Sequence, residues 1–314
     1  MTLAHRTLPE TRRGALRARL ADGRCLRAME AHDPLSALIA ETASATGPDG
    51  AQRAFDALWL SGFAMATTRA LPDAELARLE RRLETVGEIV AATAKPLIAD
   101  ADTGGDALAF AHLCARLEAL GVSAAVVEDK VFPKRSSLAD GVRHGLEDPD
   151  VFAAKIARAK RALLSDDFLI FARIESLIAG AGLDDALARA RVYLASAADG
   201  IVIHSKDATG AEVFAFLDGY RALCAETNAT KPIACIPTAY AQVTEAELAA
   251  RGVALVIYGN HQIRAACRAM RAVCESVLAH DRAREADEIC APTAEIFDLV
   301  GTGDEETPGG GSPG

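Results

Sequence analysis

The chain has 314 residues, half of them apolar, and a formal net charge of -10. That length and apolar share support one large domain or two small ones around a substantial core, with no long disordered stretch expected. The negative balance offers no net attraction for nucleic acid or an anionic membrane surface, so neither is expected as a partner.

The first residues, MTLAHRTLPETRRGALRARL, are polar and basic without an apolar signal core, and no apolar run approaches the length of a membrane span. Cys25, Cys114, Cys224, Cys235, Cys267, Cys274 and Cys290 are scattered and contain no CxxC pair. Such a set reads as reduced thiols rather than a disulfide framework or zinc site, and a cytoplasmic protein is expected.

In chain order, short apolar runs rich in Val, Ile and Ala alternate with longer amphipathic stretches. The runs are LRAMEAHD (26–33), FDALWLSG (55–62), PLIADADTG (96–104), VSAAVVED (122–129), FLIFARIE (168–175), DGIVIHS (199–205), PIACIPT (232–238) and VALVIYGN (253–260). Segments such as AELARLERRLETVGEIVAA (74–92) supply helices between them, with Glu and Arg at helical spacing on one face. TGPDGAQR (46–53) reads as a loose surface insertion. GTGDEETPGGGSPG (301–314) reads as a disordered Gly/Pro-rich tail beyond a single domain over residues 1–300. Eight strands with helical connections predict an α/β fold, a (β/α)8 TIM barrel, with a doubly wound open sheet as the competitor on pattern alone.

Asp100, Asp102, Glu128, Arg173, His204 and Asn260 all fall at the C-terminal ends of these runs. In a parallel barrel those ends converge on the face that carries active sites, so the chain reads as an enzyme. The oxygen-only set Asp100, Asp102 and Glu128 suits a hard divalent cation, Mg²⁺ before Mn²⁺, and equally suits loop-capping acids beside a solvated Glu. Arg173 can grip a carboxylate or phosphonate through a forked pair of hydrogen bonds, or serve as a partner for Glu175. His204 suits a substrate oxygen or a structural bond, and the turn at Ser61 and Gly62 an anion site or a plain strand-to-helix turn. The stretch VVEDKVFPKRSSLADG (126–141) passes from apolar strand to a charged, proline-kinked run, which is either a solvated loop or a lid carrying a lysine.

MEAHDPLSA, LWLSGF, ALPDAE, LIADADTG, EDKVFPKRSSL, FARIESLIAG, IVIHSK, PTAY and YGNHQIRAA together resemble the phosphoenolpyruvate mutase and isocitrate lyase superfamily, over about residues 15–298. The EDK-x-FPK run is similar to its phosphonopyruvate branch, and the lysine–cysteine–glycine–histidine lid of the C–C lyases is absent. The resemblance implies that Asp100 binds Mg²⁺ directly, with Asp73, Asp102 and Glu128 supporting through waters. It implies that Ser61 and Gly62 hold the substrate carboxylate and enolate oxygen beside Trp59. Arg173, His204 and Ser205 would grip phosphoryl oxygens with Ser137 nearby, and Lys134 would ride on a mobile 129–141 loop. A homodimer or homotetramer with an exchanged C-terminal helix is implied as well, from HQIRAACRAMRAVCESVLAH (261–280) and TAEIFDLV (293–300).

Two departures bear on the reaction. Mutases of this family carry Asn-Ser after FPK and hydrolases a threonine, whereas this chain has Ser136 at the asparagine position. A short hydroxyl there leaves room for water, so hydrolysis of phosphonopyruvate is the favoured expectation. The alternatives are phosphoenolpyruvate mutation, attack on a 2-oxo dicarboxylate such as oxaloacetate, or a silent carboxylate-binding relative. The DTGGDALAF segment is one residue shorter than the family pattern and lacks its aromatic and asparagine, beside the expected metal site.

Overall fold

Each of the eight apolar runs forms a strand. The structure is a computed structural model that describes residues 6–76, 79–137, 139 and 141–302; residues 303–314 of the expected tail lie outside them. Its strands are β1 (Leu26–Ala31), β2 (Ser44–Thr46), β3 (Gln52–Ala54), β4 (Ala57–Leu60), β5 (Leu97–Asp100), β6 (Ala124–Glu128), β7 (Leu169–Ile174), β8 (Gly200–Ile203), β9 (Ile233–Cys235) and β10 (Val253–Tyr258). All but β2 and β3 join one closed barrel in the order β1-β10-β9-β8-β7-β6-β5-β4, and every neighbouring pair is parallel. This is the TIM barrel expected from the alternation, and the open sheet is excluded by the β1–β4 pairing that closes it.

Period-two alternation decides what fills the barrel. Ala28, Trp59, Ile98, Val126, Phe171, Val202, Ala234 and Leu255 belong to one buried cluster, the barrel interior. The residues between them, such as Leu58, Ala99, Val127, Ala172, Ile203 and Val256, belong to the second cluster, packed outward against the helices. Leu16 of the helix Pro9–Ala21 joins the inner cluster, so this helix stoppers the N-terminal end. Ser123, just ahead of β6, donates to Arg12 O at 2.6 Å, and Arg12 donates to Val90 O at 2.7 Å. The other end is left for chemistry. One step beyond the last apolar layer, the inward positions are Asp100, Glu128 and Arg173.

The 46–53 segment is ordered, contrary to the loose loop expected. β2 and β3 pair antiparallel as an exposed hairpin closed by Gly47 N–H to Ala51 O at 2.8 Å. The Gly-Pro-Asp-Gly composition marks a tight turn rather than disorder. At the other extreme of the chain, the helix His261–His280 buries only Ile263, and Thr293–Val300 buries no residue. Among the described residues, no helix is long and apolar enough to cross a membrane.

Gly200 shows how tightly the interior is filled, because a Cβ there would lie 2.3 Å from the Phe171 ring. Gly200→Ala should therefore destabilise the barrel by about 1–3 kcal/mol through overpacking, read as a lower urea midpoint at unchanged slope.

Candidate active site

β5 ends at Asp100, whose Oδ2 accepts the Gly62 N–H at 3.2 Å and whose Oδ1 accepts the Asp102 N–H at 3.1 Å. Gly62 opens the helix Gly62–Thr67, and Ser61 caps it by accepting the Ala64 N–H at 3.2 Å. A Cβ on Gly62 would come 2.5 Å from Asp102 Oδ1, so glycine is what lets this turn approach the two acids. Ser61 and Gly62 thus make the plain helix start and also border the acid pair.

Asp102 sits in the left-handed region at φ +54° and is gripped by Arg82 and, at 2.6 Å, by Lys134 Nζ. Burial alone would raise its pKa, but Lys134 and Arg82 outweigh burial and hold it well below the usual carboxylate range. Asp100 has no such cation against it; burial and then the neighbouring Asp102 raise its pKa. Glu128 is the outlier. It is 1 % exposed, neither carboxylate oxygen accepts a hydrogen bond, and its nearest cations, Lys130 and Arg173, stand 3.6 Å away. Burial pushes it up to about 8, against the pull of Lys134 and Arg173.

Arg173, Glu175, His204, Ser137 and Lys130 make a second network. Arg173 Nε meets Glu175 Oε1 at 2.5 Å, and Arg173 Nη2 donates to Ser137 Oγ at 3.1 Å. Ser137 Oγ donates to Glu175 Oε2 at 2.8 Å and accepts from Lys130 Nζ. His204 Nδ1 lies 2.9 Å from Arg173 Nη2 and 3.0 Å from Glu175 Oε1, so the neutral ring either accepts from the first or donates to the second. Burial, then the Arg173 charge, lowers the His204 pKa. Glu175 carries the burden of this cluster: despite burial, Arg173, His204 and Lys130 hold it well below its ordinary value. Arg173 is thus the partner for Glu175 that the sequence allowed, and it also lines the cavity.

The charged run after β6 is folded down over the barrel mouth. Its stem is an antiparallel ladder, Val131 N–H to Gly145 O and Glu147 N–H to Asp129 O, both at 2.9 Å. Asp129 is a buried anchor, bonded to Arg189 at 3.1 Å and Tyr193 Oη at 2.8 Å. At the tip, Lys134 is 6 % exposed and reaches Asp73 Oδ1 at 2.7 Å as well as Asp102. Burial would lower its pKa, but Asp102, Glu128, Asp100 and Asp73 together hold it well above the usual lysine value.

A cavity of about 50 Å³ remains, lined by Trp59, Ser61, Asp100, Ser137, Arg173, His204, Ile236, Thr238, Gly259 and Asn260. Asp73, Asp102, Glu128 and Lys134 stand next to these residues through the contacts above, and Gly62 touches the site through Asp100. Two expected residues are turned elsewhere. The Ser205 hydroxyl donates to Glu212 and accepts the Asp207 N–H at 2.9 Å, and half-buried Ser136 is outside the cavity wall. Sequence reasoning passed over Glu75, Arg82, Lys130, Glu175 and Thr238 as site residues. Of these, Glu175 and Lys130 were readable by carrying the inward alternation past the ends of β7 and β6. Thr238 Oγ1 and Asn260 Oδ1 are buried in the cavity wall without a hydrogen-bond partner, as groups that meet a ligand would be.

Among the described residues, no three His, Cys, Asp or Glu side chains gather closely enough to enclose a metal ion by themselves. The donor set nevertheless fits Mg²⁺, which keeps several waters and needs only one or two carboxylates. Asp100 lacks a cation partner, Glu128 has two orphaned oxygens, and Asp102 is already paired.

Residues 16–278 match the phosphoenolpyruvate phosphomutase family. The chain is similar to the phosphonopyruvate hydrolase of Variovorax sp. (strain Pal2), 40% identical over 93% of this chain and 95% of that protein. It is also similar to the phosphoenolpyruvate phosphomutase of Streptomyces hygroscopicus, 34% identical over 89% of this chain and 84% of that one. Among solved structures, a phosphonopyruvate hydrolase in complex with oxalate and Mg²⁺ superposes with a TM-score of 0.80 at 39% identity, covering 93% and 95% of the two chains. With a closed parallel barrel, an acid pair at the end of β5 and a lysine-bearing loop beside it, the chain belongs to the phosphoenolpyruvate phosphomutase family.

Proposed function

We propose that this chain hydrolyses the P–C bond of phosphonopyruvate to give pyruvate and phosphate. The observation that carries the reading is one cavity in which the Arg173 guanidinium and the neutral His204 ring share a small space with Asp100. The same cavity occurs in a chain 40% identical to a phosphonopyruvate hydrolase. Phosphoenolpyruvate mutation is the alternative, and Ser136, where mutases carry asparagine, favours water as the acceptor.

In this reading the P–C electron pair passes to the three-carbon fragment as an enolate, while a water oxygen bonds to phosphorus. One water proton ends on the enolate carbon as the methyl of pyruvate, and the rest of the water stays with phosphate. Mg²⁺, when bound, supplies positive charge where the enolate oxygen develops. Asp100 would hold it directly, oriented by the Gly62 N–H, with Glu128 and Asp102 acting through waters and Asp73 beside them. Mn²⁺ suits the same oxygen donors. Ser61 would donate to the substrate carboxylate against Trp59. Arg173, His204, Ser137 and Lys134 would cradle the phosphoryl oxygens, whose loose transition state needs charge and position more than covalent help. Ser136 would orient or admit the water when the lid closes, and Ser205 would support the His204 loop through Glu212 rather than touch substrate.

The family expectation of an exchanged helix finds support on the outer face. Helix His261–His280 exposes Met270, Val277 and Leu278, and Thr293–Val300 exposes Ile296, Phe297 and Val300. A hollow of about 450 Å³, lined by outward residues such as Met29, Phe55 and Tyr258, lies between β1, β10 and the hairpin. A second copy's C-terminal helices would cover such surfaces, giving a dimer or tetramer. The seven free thiols accord with a cytoplasmic setting.

Phosphorus NMR of the protein with phosphonopyruvate and Mg²⁺ should show inorganic phosphate rising in step with pyruvate, without transient phosphoenolpyruvate. Accumulation of phosphoenolpyruvate would replace hydrolysis with mutation. For Glu128, burial pushes the pKa from its ordinary 4.5 up to about 8, so the buried, ionised carboxylate increasingly opposes folding as pH rises between those values. Metal-free Glu128→Gln should thus melt on the order of 5 °C above the parent at pH 8, with the gain vanishing near pH 4.5, and should lose most of the Mg²⁺-induced rise in Tm. For the assembly, Phe297→Asp should lower the molar mass measured by light scattering, and an unchanged mass would reject the exchange.

A further inference from the structure

Substrate has to enter a site whose free space is narrow in this structure. A cavity of about 50 Å³ is too narrow for a three-carbon phosphonate, so in this reading the loop that carries Lys134 shifts to admit substrate and reseats over it. What defines the seated position is therefore part of the reaction.

We propose that Glu75 is a positioning residue that latches this lid to the loop bearing Asp102, an inference that rests on reading 129–141 as the gate of the P–C-cleaving site. Glu75 Oε1 accepts the Thr103 N–H at 2.9 Å, and the Thr103 hydroxyl lies 2.9 Å from both carboxylate oxygens. Glu75 Oε2 accepts the Lys134 N–H at 3.0 Å. The Lys134 side chain then reaches 2.6 Å to Asp102, the residue before Thr103. Glu75, Thr103, Asp102 and Lys134 thus close a ring in which the same lysine is held by its backbone from one side and by its ammonium from the other. Asp73, two residues before Glu75, takes the ammonium at 2.7 Å, so one short loop grips both ends of Lys134.

Three further observations fit a latch. Glu75 adopts φ +54°, a left-handed conformation unfavourable for a residue with a Cβ, and the turn aims its carboxylate at Thr103 and Lys134. Phe132 is 59 % exposed, and residues past Lys134 are held from elsewhere: Lys130 Nζ donates to Arg135 O at 3.2 Å and Lys206 Nζ to Ala139 O at 2.5 Å, so Lys134 is where the lid meets the acid loop. The Thr103 hydroxyl also accepts the Gly105 N–H at 3.2 Å, so the shortened DTGGD loop is braced through the atom that Glu75 holds. Seating the lid and setting the acid loop become one event, and Lys134 arrives only where Asp102 is already in register.

The test is Glu75→Gln. Its carboxamide must turn an NH₂ toward the Thr103 or the Lys134 N–H and so loses one arm of the latch. Trypsin cleavage after Lys134, whose side chain is buried in the seated lid, reports lid lifting without any turnover. Mg²⁺ with oxalate should slow this cleavage in the parent, and the variant should be cut about tenfold faster under the same conditions, the loss of one charge-assisted bond. Its kcat on phosphonopyruvate should fall at least about tenfold, with a smaller change in KM. Equal cleavage rates and unchanged kcat overturn the latch. Should the variant not fold, Thr103→Val, which removes the hydroxyl arm alone, is read the same way. Faster cleavage of the variant in a protein inert toward phosphonopyruvate would uphold the latch and reject the proposed reaction.

Discussion

Charge balance in a space closed to water governs how this site is built. Four cations, Arg82, Lys130, Lys134 and Arg173, face six carboxylates, Asp73, Glu75, Asp100, Asp102, Glu128 and Glu175. Buried charges persist only when paired or coordinated, because desolvation otherwise drives them neutral. The pairs are not shared evenly. Asp102 and Glu175 take most of the cationic contact and are held low, whereas burial pushes Asp100, Glu128 and Glu75 up. Asp100 and Glu128, at the ends of neighbouring strands, are oxygen donors of the kind a divalent cation takes. The rest of the arrangement follows: the cations already committed to Asp102 and Glu175 are fixed in position before substrate comes.

Most of this was legible because the barrel repeats one rule. A period of two on each strand and a single direction for all eight carry Asp100, Glu128 and Arg173 to the same mouth, and strand-end polarity is visible without any structure. The residues passed over obey no such period. Arg82 lies on the helix Leu79–Ala92 and reaches back to Asp102, and Glu75 acts from a turn whose backbone is left-handed. Their roles depend on how loops approach one another, which no local pattern encodes. The hairpin at β2 and β3 was misjudged for a related reason, since Gly, Pro and Asp signal a turn and disorder alike. Ser205 shares the neighbourhood of His204 but bonds to Glu212, a partner seven residues on that sequence order did not single out.

The architecture separates what is fixed from what moves. Lys130, Glu175 and Arg189 anchor the lid stem at the rigid rim, through Ser137 on one side and Asp129 on the other. Ser137 is a lid residue held by barrel groups, so it acts as the inner end of the hinge, while Lys134 lies beyond it at the tip. In the proposed reaction such a division would let the Arg173 and His204 wall keep its shape while one cation is delivered and withdrawn.

Position 136 then gains its meaning from geometry rather than from size alone. It lies between Lys134, tied to the acids near β5, and Ser137, tied to Glu175 near β7, so its side chain is carried across the mouth as the lid descends. A carboxamide there is longer and offers both a donor and an acceptor to phosphoryl oxygens, which would keep the transferring group on the enolate side. Ser136 is not among the residues that line the cavity. Under the proposed hydrolysis, closure would leave a phosphoryl group gripped from Arg173, His204 and Lys134 but uncovered from this direction, and water is the small acceptor that such an opening would admit.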